Sequence, residues 1–377
     1  MWFFRRLLYF TLSVWSVQGW SFLLLNPVGH QEALMGNAGI AHPASPGNPL
    51  FNAAGLAYFT DDLPNISVSG TLISSSDASS NAFDKSNNSL TSQSVLSVAS
   101  FPIGYGIRIA PFYSYPQNSE FYGYSDNTTS GTRERQFENV SLKQALGGLS
   151  YSGFFIPDVL AWGFSVGVTW NETDIHTSQL QEGAGSSRLT STYDQKQRSQ
   201  IELMPGLLWK ATDELYLGMA VHLTPLEVFS TGTTFQQGQN SGSPTGEQDT
   251  RRYSPNLDKL IGVSLGQSFI TNRFTFSTDL SYFEHEPLFN QSAWQAALGL
   301  KMPVINPVHL LSGFNYFRTR DYAQYILDGG LVVKRNTYEF LFGVTYKRID
   351  STNEAGFNLD SDALGFLFSS TISYSPF

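Results

Sequence analysis

The chain has no cysteine among its 377 residues. Disulfide frameworks and cysteine metal sites are therefore excluded. Charge is scarce too: Asp, Glu, Lys and Arg make up 14% of the chain, against about a quarter in an ordinary soluble domain. That deficit points to a surface that does not all face water. Basic residues number 22 against 31 acidic, for a net charge of -9, and they form no cluster. A nucleic-acid partner needs a basic face, so none is expected. The six histidines show no zinc-type pairing at helical spacing, and no G-x-S-x-G elbow is present. In "FEHEP", His285 alternates with Glu284 and Glu286, so in a strand it faces away from both. The expectation is no metal, no cofactor, no catalytic residue and no enzyme. A barrel enzyme would need a site assembled from distant strands.

What the chain does have begins with "MWFFRRLLYFTLSVWSVQGWS". Arg5 and Arg6 form a positive start, residues 7–17 an apolar stretch, and Gly19 and Ser21 small residues at a cleavage point. This reads as a signal peptide over residues 1–21. The alternative is a single membrane anchor, because "FLLL" at 22–25 prolongs the apolar run.

From residue 64 onward, period-2 alternation dominates. In 160–170, Leu160, Trp162, Phe164, Val166, Val168 and Trp170 alternate with Ala161, Gly163, Ser165, Gly167 and Thr169. In 337–347, Tyr338, Phe340, Phe342, Val344 and Tyr346 fall on one face, with Leu341 the exception on the other. One face is large and apolar, the other small or polar. A soluble sandwich and a membrane barrel both satisfy this alternation. The loops separate them. About fourteen strand-like segments occur, near 64–73, 90–100, 103–115, 136–152, 159–171, 197–210, 214–235, 252–267, 273–284, 291–302, 308–319, 325–334, 337–349 and 363–376. Connections after even-numbered segments are short, such as "FIPDV", "TDE", "INPVH" and "RN". After odd-numbered segments many are long and polar, at roughly 74–89, 116–135, 172–196, 236–251 and 350–362. Short turns at one end and long loops at the other describe an outer-membrane barrel, which must close because lipid satisfies no backbone group. Trp170, Trp209, Tyr346 and Tyr374 are candidates for interfacial girdles. The terminal Phe377 fits a signal to the barrel-assembly machinery, although Ile372 and Tyr374 are out of phase with it.

The segment "ALMGNAGIAHPASPGNPLFNAAGLAYF", residues 33–59, resembles the opening of the FadL-type outer-membrane transporters of long-chain fatty acids and other hydrophobic compounds. Its Gly-rich step runs Gly36, Asn37, Ala38, Gly39, Ile40, Ala41. Its box runs Asn52, Ala53, Ala54, Gly55, Leu56, Ala57, with Ala53 where the family pattern has proline. The resemblance implies an all-β transmembrane antiparallel barrel of about 14 strands, plugged by an N-terminal hatch inside the lumen. Residues 22–63 would then form the hatch and 64–377 the barrel. Hydrophobic ligand would enter from outside and leave sideways into outer-membrane lipid, beside a kinked third strand. An alternative use of the same barrel is as a surface or secretion partner without transport.

The third strand, "GYGIRIAPFYSYP", carries Pro111 downstream of Gly104 and Gly106. Proline cannot donate to a ladder. Inside a closed barrel it is expected to open the wall there, unless the strand simply ends early. Arg108 is the candidate to meet a ligand carboxylate. Tyr115, Phe121, Tyr122 and Tyr124 are candidates for an apolar landing site. By phase, Arg108, His222, Asp279, Glu339 and Lys347 face the lumen.

Overall fold

The structure is a computed structural model. It describes residues 26–59, 63–75, 79–80, 89–104, 106–129, 132–183, 186–240, 247–253, 261–286, 291–320, 322–335, 337–351 and 359–373. The expected leader over 1–21, and Tyr374 to Phe377, lie outside them.

Fourteen antiparallel strands close into a barrel. They are β1 (Asn65–Ser75), β2 (Ser89–Gly104), β3 (Ile107–Thr129), β4 (Thr132–Ile156), β5 (Leu160–Gly183), β6 (Ser186–Lys210) and β7 (Leu215–Asn240). Then follow β8 (Ile261–Ile270), β9 (Thr275–Glu286), β10 (Gln291–Ile305), β11 (Val308–Arg318), β12 (Tyr322–Arg335), β13 (Tyr338–Ser351) and β14 (Leu359–Ser373). Closure comes from β1 against β14, in register from Asn65↔Ser373 to Ser74↔Leu364. Two accessory strands add to it: Ser79–Ser80 on β14 and Glu247–Tyr253 on β7.

The alternation resolves inside out, as lipid requires. On β1, Ile66, Val68 and Leu72 are exposed on the outer face, while Asn65, Ser67, Ser69 and Thr71 are buried inward. On β13, Tyr338, Phe340, Phe342 and Val344 point outward and Glu339, Thr345 and Lys347 inward. Leu341 breaks the pattern because it packs on the hatch, in one apolar cluster with Leu34 and Met35. The short connections gather at one end, together with the paired barrel ends Asn65 and Ser373.

Two of the expected loops are not loops. Residues 116–135 and 172–196 continue the ladders, down to the pairs Thr129↔Thr132 and Gly183↔Ser186. Parts of 74–89, 236–251 and 350–362 are likewise strand. Strands β3 to β7 therefore run 23, 25, 24, 25 and 26 residues, where a membrane crossing takes about 9–11. The excess rises past the rim as a sheet on the order of 40 Å long. Beyond the bilayer both faces meet water, so the apolar–polar contrast disappears while the backbone pairing persists.

Residues 26–59 fill the lumen. Short helices α1 (Gln31–Leu34) and α2 (Asn48–Phe51) and a 3-10 helix over Ala53–Tyr58 are joined by tight turns. Almost every residue is buried. Pro49 sits in the first turn of α2, where no intrahelical amide is lost.

Candidate functional site

The site is the seam between hatch and wall. Asn52 is its central polar group. Its Oδ1 accepts from the Ala54 amide at 3.2 Å, capping the 3-10 helix. Its Nδ2 donates to the Ile40 carbonyl at 2.8 Å, across the hatch, and to the Leu207 carbonyl at 2.9 Å, on the wall. Ala53 occupies the first position of that helix, where proline is tolerated. Alanine at this position forms the 3-10 turn without proline. Ala53, Ala54, Gly55 and Leu56 are all buried.

The small residues have a steric cause. Gly36 has φ +66°, and a Cβ there would collide with the backbone of Phe314 on β11. A Cβ on Gly39 would come within 2.6 Å of the Phe51 ring. One on Gly55 would strike the Asn48 amide.

The wall answers with glycines of its own, which sequence reasoning missed as a set. Added Cβ atoms on Gly163 (β5), Gly206 (β6), Gly218 (β7) and Gly313 (β11) would collide with Ala54, Asn52, Ile40 and Gly36 respectively. On Gly266 (β8) and Gly299 (β10) they would meet Ile40 at 2.8 Å and Met35 at 2.5 Å. On Gly330 (β12) and Gly343 (β13) they would strike Leu34. Eight of these lie directly opposite one another in register: Gly163↔Gly206, Gly218↔Gly266, Gly299↔Gly313 and Gly330↔Gly343. This belt lets hatch backbone lie against wall backbone. On β2, β3 and β4 no described glycine faces the hatch. There Leu96, Val98, Ala110, Phe112 and Leu146 pack side chain to side chain in one cluster with Val28, Leu50, Phe51 and Leu56, which Met204 on β6 and Ala220 on β7 join.

The lumen-facing charges expected by phase are indeed inward and buried, and most grip the hatch. Asp279 Oδ2 accepts the Gly39 and Ile40 amides at 2.6 and 2.8 Å. Glu339 bonds His30 at 2.6 Å and accepts from Gln31 at 2.5 Å, and His30 also bonds Ser369. Lys347 donates to Asn26 at 2.9 Å. His222 stands 3.6 Å from Glu202. Within the hatch, Glu32 is fully buried, 3.3 Å from His42. Burial alone pushes its carboxyl up, but bonds with His42 and Ser45 outweigh it and hold Glu32 below the ordinary carboxylate value.

The expected third-strand features are only partly brought together. Gly104 and Gly106, with φ +95° and +70°, form the tight β2–β3 turn rather than an opening in the wall. Pro111 faces outward, and its ladder to β4 is unbroken through Pro111↔Leu149. On the β2 side, pairing steps from Val98↔Phe112 to Phe101↔Ile109 without a change of register. The wall stays closed there: Ala99 and Ser100 lack pairing to β3 but keep it to Ile66 and Asn65 of β1. The actual kink is a β-bulge centred on Pro116, spanning Tyr115–Pro116 against β4 and Pro116–Gln117 against β2. Asn26 of the hatch reaches it and donates to the Pro116 carbonyl at 3.0 Å.

Arg108 is buried at the short-turn end. Its guanidinium lies 5.0 Å from the Phe59 ring centroid and donates to Ser100 and to the Leu63 carbonyl. It lines a cavity of about 100 Å³ with Ala57, Phe59, Pro102 and Ile107. It is thus far along the strand from Tyr122 and Tyr124. The bulge shifts the phase of β3, so Tyr122 and Tyr124 pair with Asn139 and Phe137 on the outward face. They do not line the mouth of the lumen. Tyr115 is half-buried at the bulge, and Phe121 is described by its backbone alone. The side chain of His285 lies outside the described residues. Among the described residues, no cluster of three His, Asp or Glu is placed to hold a metal.

No protein-family model matches the chain, and no curated protein matches it. Solved structures do. The Pseudomonas putida toluene transporter TodX aligns with TM-score 0.63 at 13% identity, over 93% of this chain and 99% of that one. A Pseudomonas aeruginosa FadL homologue aligns at 0.65 and 14%, over 93% and 99%. The Ralstonia pickettii toluene transporter TbuX aligns at 0.64 and 12%, again over 93% and 99%. At such identities the likeness speaks for architecture. The chain has the fold of the FadL-type hydrophobic-compound channels, a closed fourteen-strand barrel with its N-terminal segment packed inside.

Proposed function

We propose that the protein is a passive outer-membrane channel for hydrophobic small molecules, long-chain fatty acids among them, with release into the membrane beside β3. The observation that carries this reading is the unequal seating of the hatch. From β5 to β13, hatch and wall meet at glycines, most of them against hatch backbone, as well as through apolar side chains such as Leu208, Leu311, Val332 and Leu341. Along β2 to β4 no described glycine faces the hatch, and the contact is through side chains, which open a path by changing rotamer. The same arc contains the interrupted pairing opposite Pro111. Binding there rests on apolar burial, about 25 cal/mol per Å², and needs no energy source.

The runner-up is the same barrel acting as a surface or secretion partner without transport. The sheet rising beyond the rim favours it, as does the small size of the cavity beside Asp279 and Ile40, about 20 Å³. Uptake of labelled long-chain fatty acid and of toluene by cells with and without the protein decides between them. Faster uptake of either compound with the protein supports the channel. Equal uptake of both overturns it.

A further inference from the structure

The channel reading leaves the projecting sheet without a task. On the outward face of β5, the apolar series ends at Trp170, and the Lys143–Glu172 ion pair at 3.2 Å marks the change to polar sequence. Beyond that pair the same face carries aromatic rings again. Register places Tyr124 opposite Phe137, and Tyr122, Asn139, His176 and Tyr193 in one row across β3 to β6. Tyr122, Tyr124 and Phe137 are 38, 36 and 37% exposed.

Three tyrosines are tied at the hydroxyl. Tyr122 donates to Glu120 at 3.0 Å, Tyr124 to Asp126 at 3.3 Å and Tyr193 to Asp174 at 3.3 Å. Each acceptor sits on the same face, two residues along or one strand across, so the bond draws the ring down along the sheet. The cations of this face each lie beside carboxylates, although Arg135 Nε makes no hydrogen bond among the described residues. Arg133 binds Asp126 through two bonds of 2.8 and 2.5 Å, and Arg135 stands 3.6 Å from Asp126 and 3.7 Å from Glu182. Asn118 Oδ1, Asn139 Oδ1 and Ser141 Oγ, also on this face, have no hydrogen-bond partner among the described residues.

We propose that this outward face binds carbohydrate, and that its occupant is the saccharide of the glycolipid surrounding the barrel in the outer leaflet. A phosphate ligand would need a guanidinium or ammonium group free of carboxylates, and here Arg133 and Lys143 are bonded to Asp126 and Glu172 while Arg135 stands between Asp126 and Glu182. A protein partner of ordinary affinity would need a continuous apolar patch, and here rings alternate with Ser, Asn and carboxylates. A pyranose ring has the matching chemistry: C–H groups on its faces for the aromatic rings, hydroxyls on its edge for carboxylates and amides. Position selects the source. The face continues the lipid-facing wall, and Phe137 lies six residues past Lys143. For a strand tilted by about 40°, that is roughly 15 Å above the level where apolar contact ends. The molecules beside the barrel at that height are glycolipid headgroups. The proposal rests on the outer-membrane reading but not on transport.

The test titrates core oligosaccharide, released from lipopolysaccharide, onto the full-length protein in phospholipid nanodiscs by calorimetry. The native protein is expected to bind. The triple variant Tyr122→Ser, Tyr124→Ser, Phe137→Ser should bind at least about tenfold more weakly, with uptake of hydrophobic compound unchanged. The pair Tyr122→Phe, Tyr124→Phe keeps the rings and should retain most of the binding, which guards against misfolding of the triple variant. Absence of binding by the native protein overturns the proposal, as does undiminished binding by the triple variant. Self-association of the native protein that the triple variant abolishes also overturns it, assigning the face to a second copy.

Discussion

Asn52 concentrates in one side chain what the hatch needs. It caps a helix, braces a second hatch segment and reaches the wall. The space for it exists because Gly206 has no side chain. Replacing Asn52 with Ala would remove all three bonds and leave the Ile40 carbonyl without its side-chain donor in a buried seam. The expected cost is about 1–3 kcal/mol of hatch stability, read as faster hydrogen exchange in residues 39–56 with the strand amides unchanged. Unaltered exchange there would show that packing alone holds the hatch. Asp279 plays a parallel part on the opposite side, receiving two amides on one oxygen. On the strand where the belt has no glycine, a carboxylate binds the hatch backbone instead.

At the scale of the element, β3 is where sequence and structure part most instructively. Pro111 was expected to open the wall, yet the strand continues past it on both sides. Its nitrogen faces the β2 side, so only that ladder is interrupted, and register is kept. Replacing Pro111 with Thr supplies the missing donor. Uptake should fall severalfold while the barrel assembles normally, measured as proteoliposome uptake beside heat-modifiable gel mobility. Uptake equal to the native protein would remove release beside β3. The bulge centred on Pro116 explains why Tyr122 and Tyr124 were misplaced from sequence. One extra residue reverses the face of everything after it, and nothing in the local composition announces that residue. The fourteen strands were legible because lipid on one side and lumen on the other force a period-2 contrast. The outer halves of β3 to β7 were not, because water on both sides imposes none. The hatch box was legible as a compact motif. The glycine belt was not, because its members are far apart in sequence and meet only through cross-strand register.

For the whole molecule, the barrel divides around its axis. One arc holds the hatch through contacts against glycine, apolar side chains and buried polar bonds. The other has no described glycine against the hatch and holds it through apolar side chains and the polar bonds of Asn26 and Ser94. Along the axis there is a second division, between a lipid-facing band and a polar sheet that rises well beyond it. A static plug would have no use for the unequal arcs, whereas a channel whose hatch yields on one side does. Because the chain has no cysteine, a pair of engineered cysteines joined by a short, reducible bis-methanethiosulfonate can test that yielding. Gln31 and Lys301 are one such pair, with Lys301 Nζ 2.8 Å from Gln31 Oε1, and a bridge there fastens the hatch to β10 in the glycine-lined arc. Asn26 and Ser92 are the other, with Asn26 Nδ2 2.9 Å from Ser92 Oγ, and a bridge there fastens the hatch to β2 in the arc that has no described glycine against it. The decisive measurement is uptake of a labelled hydrophobic compound into proteoliposomes carrying each double-cysteine variant, bridged and then reduced. The account predicts that the bridge leaves uptake through the Gln31→Cys, Lys301→Cys variant near the native rate, while it stops uptake through the Asn26→Cys, Ser92→Cys variant until it is reduced. Uptake through the second variant that is the same in both states would contradict it.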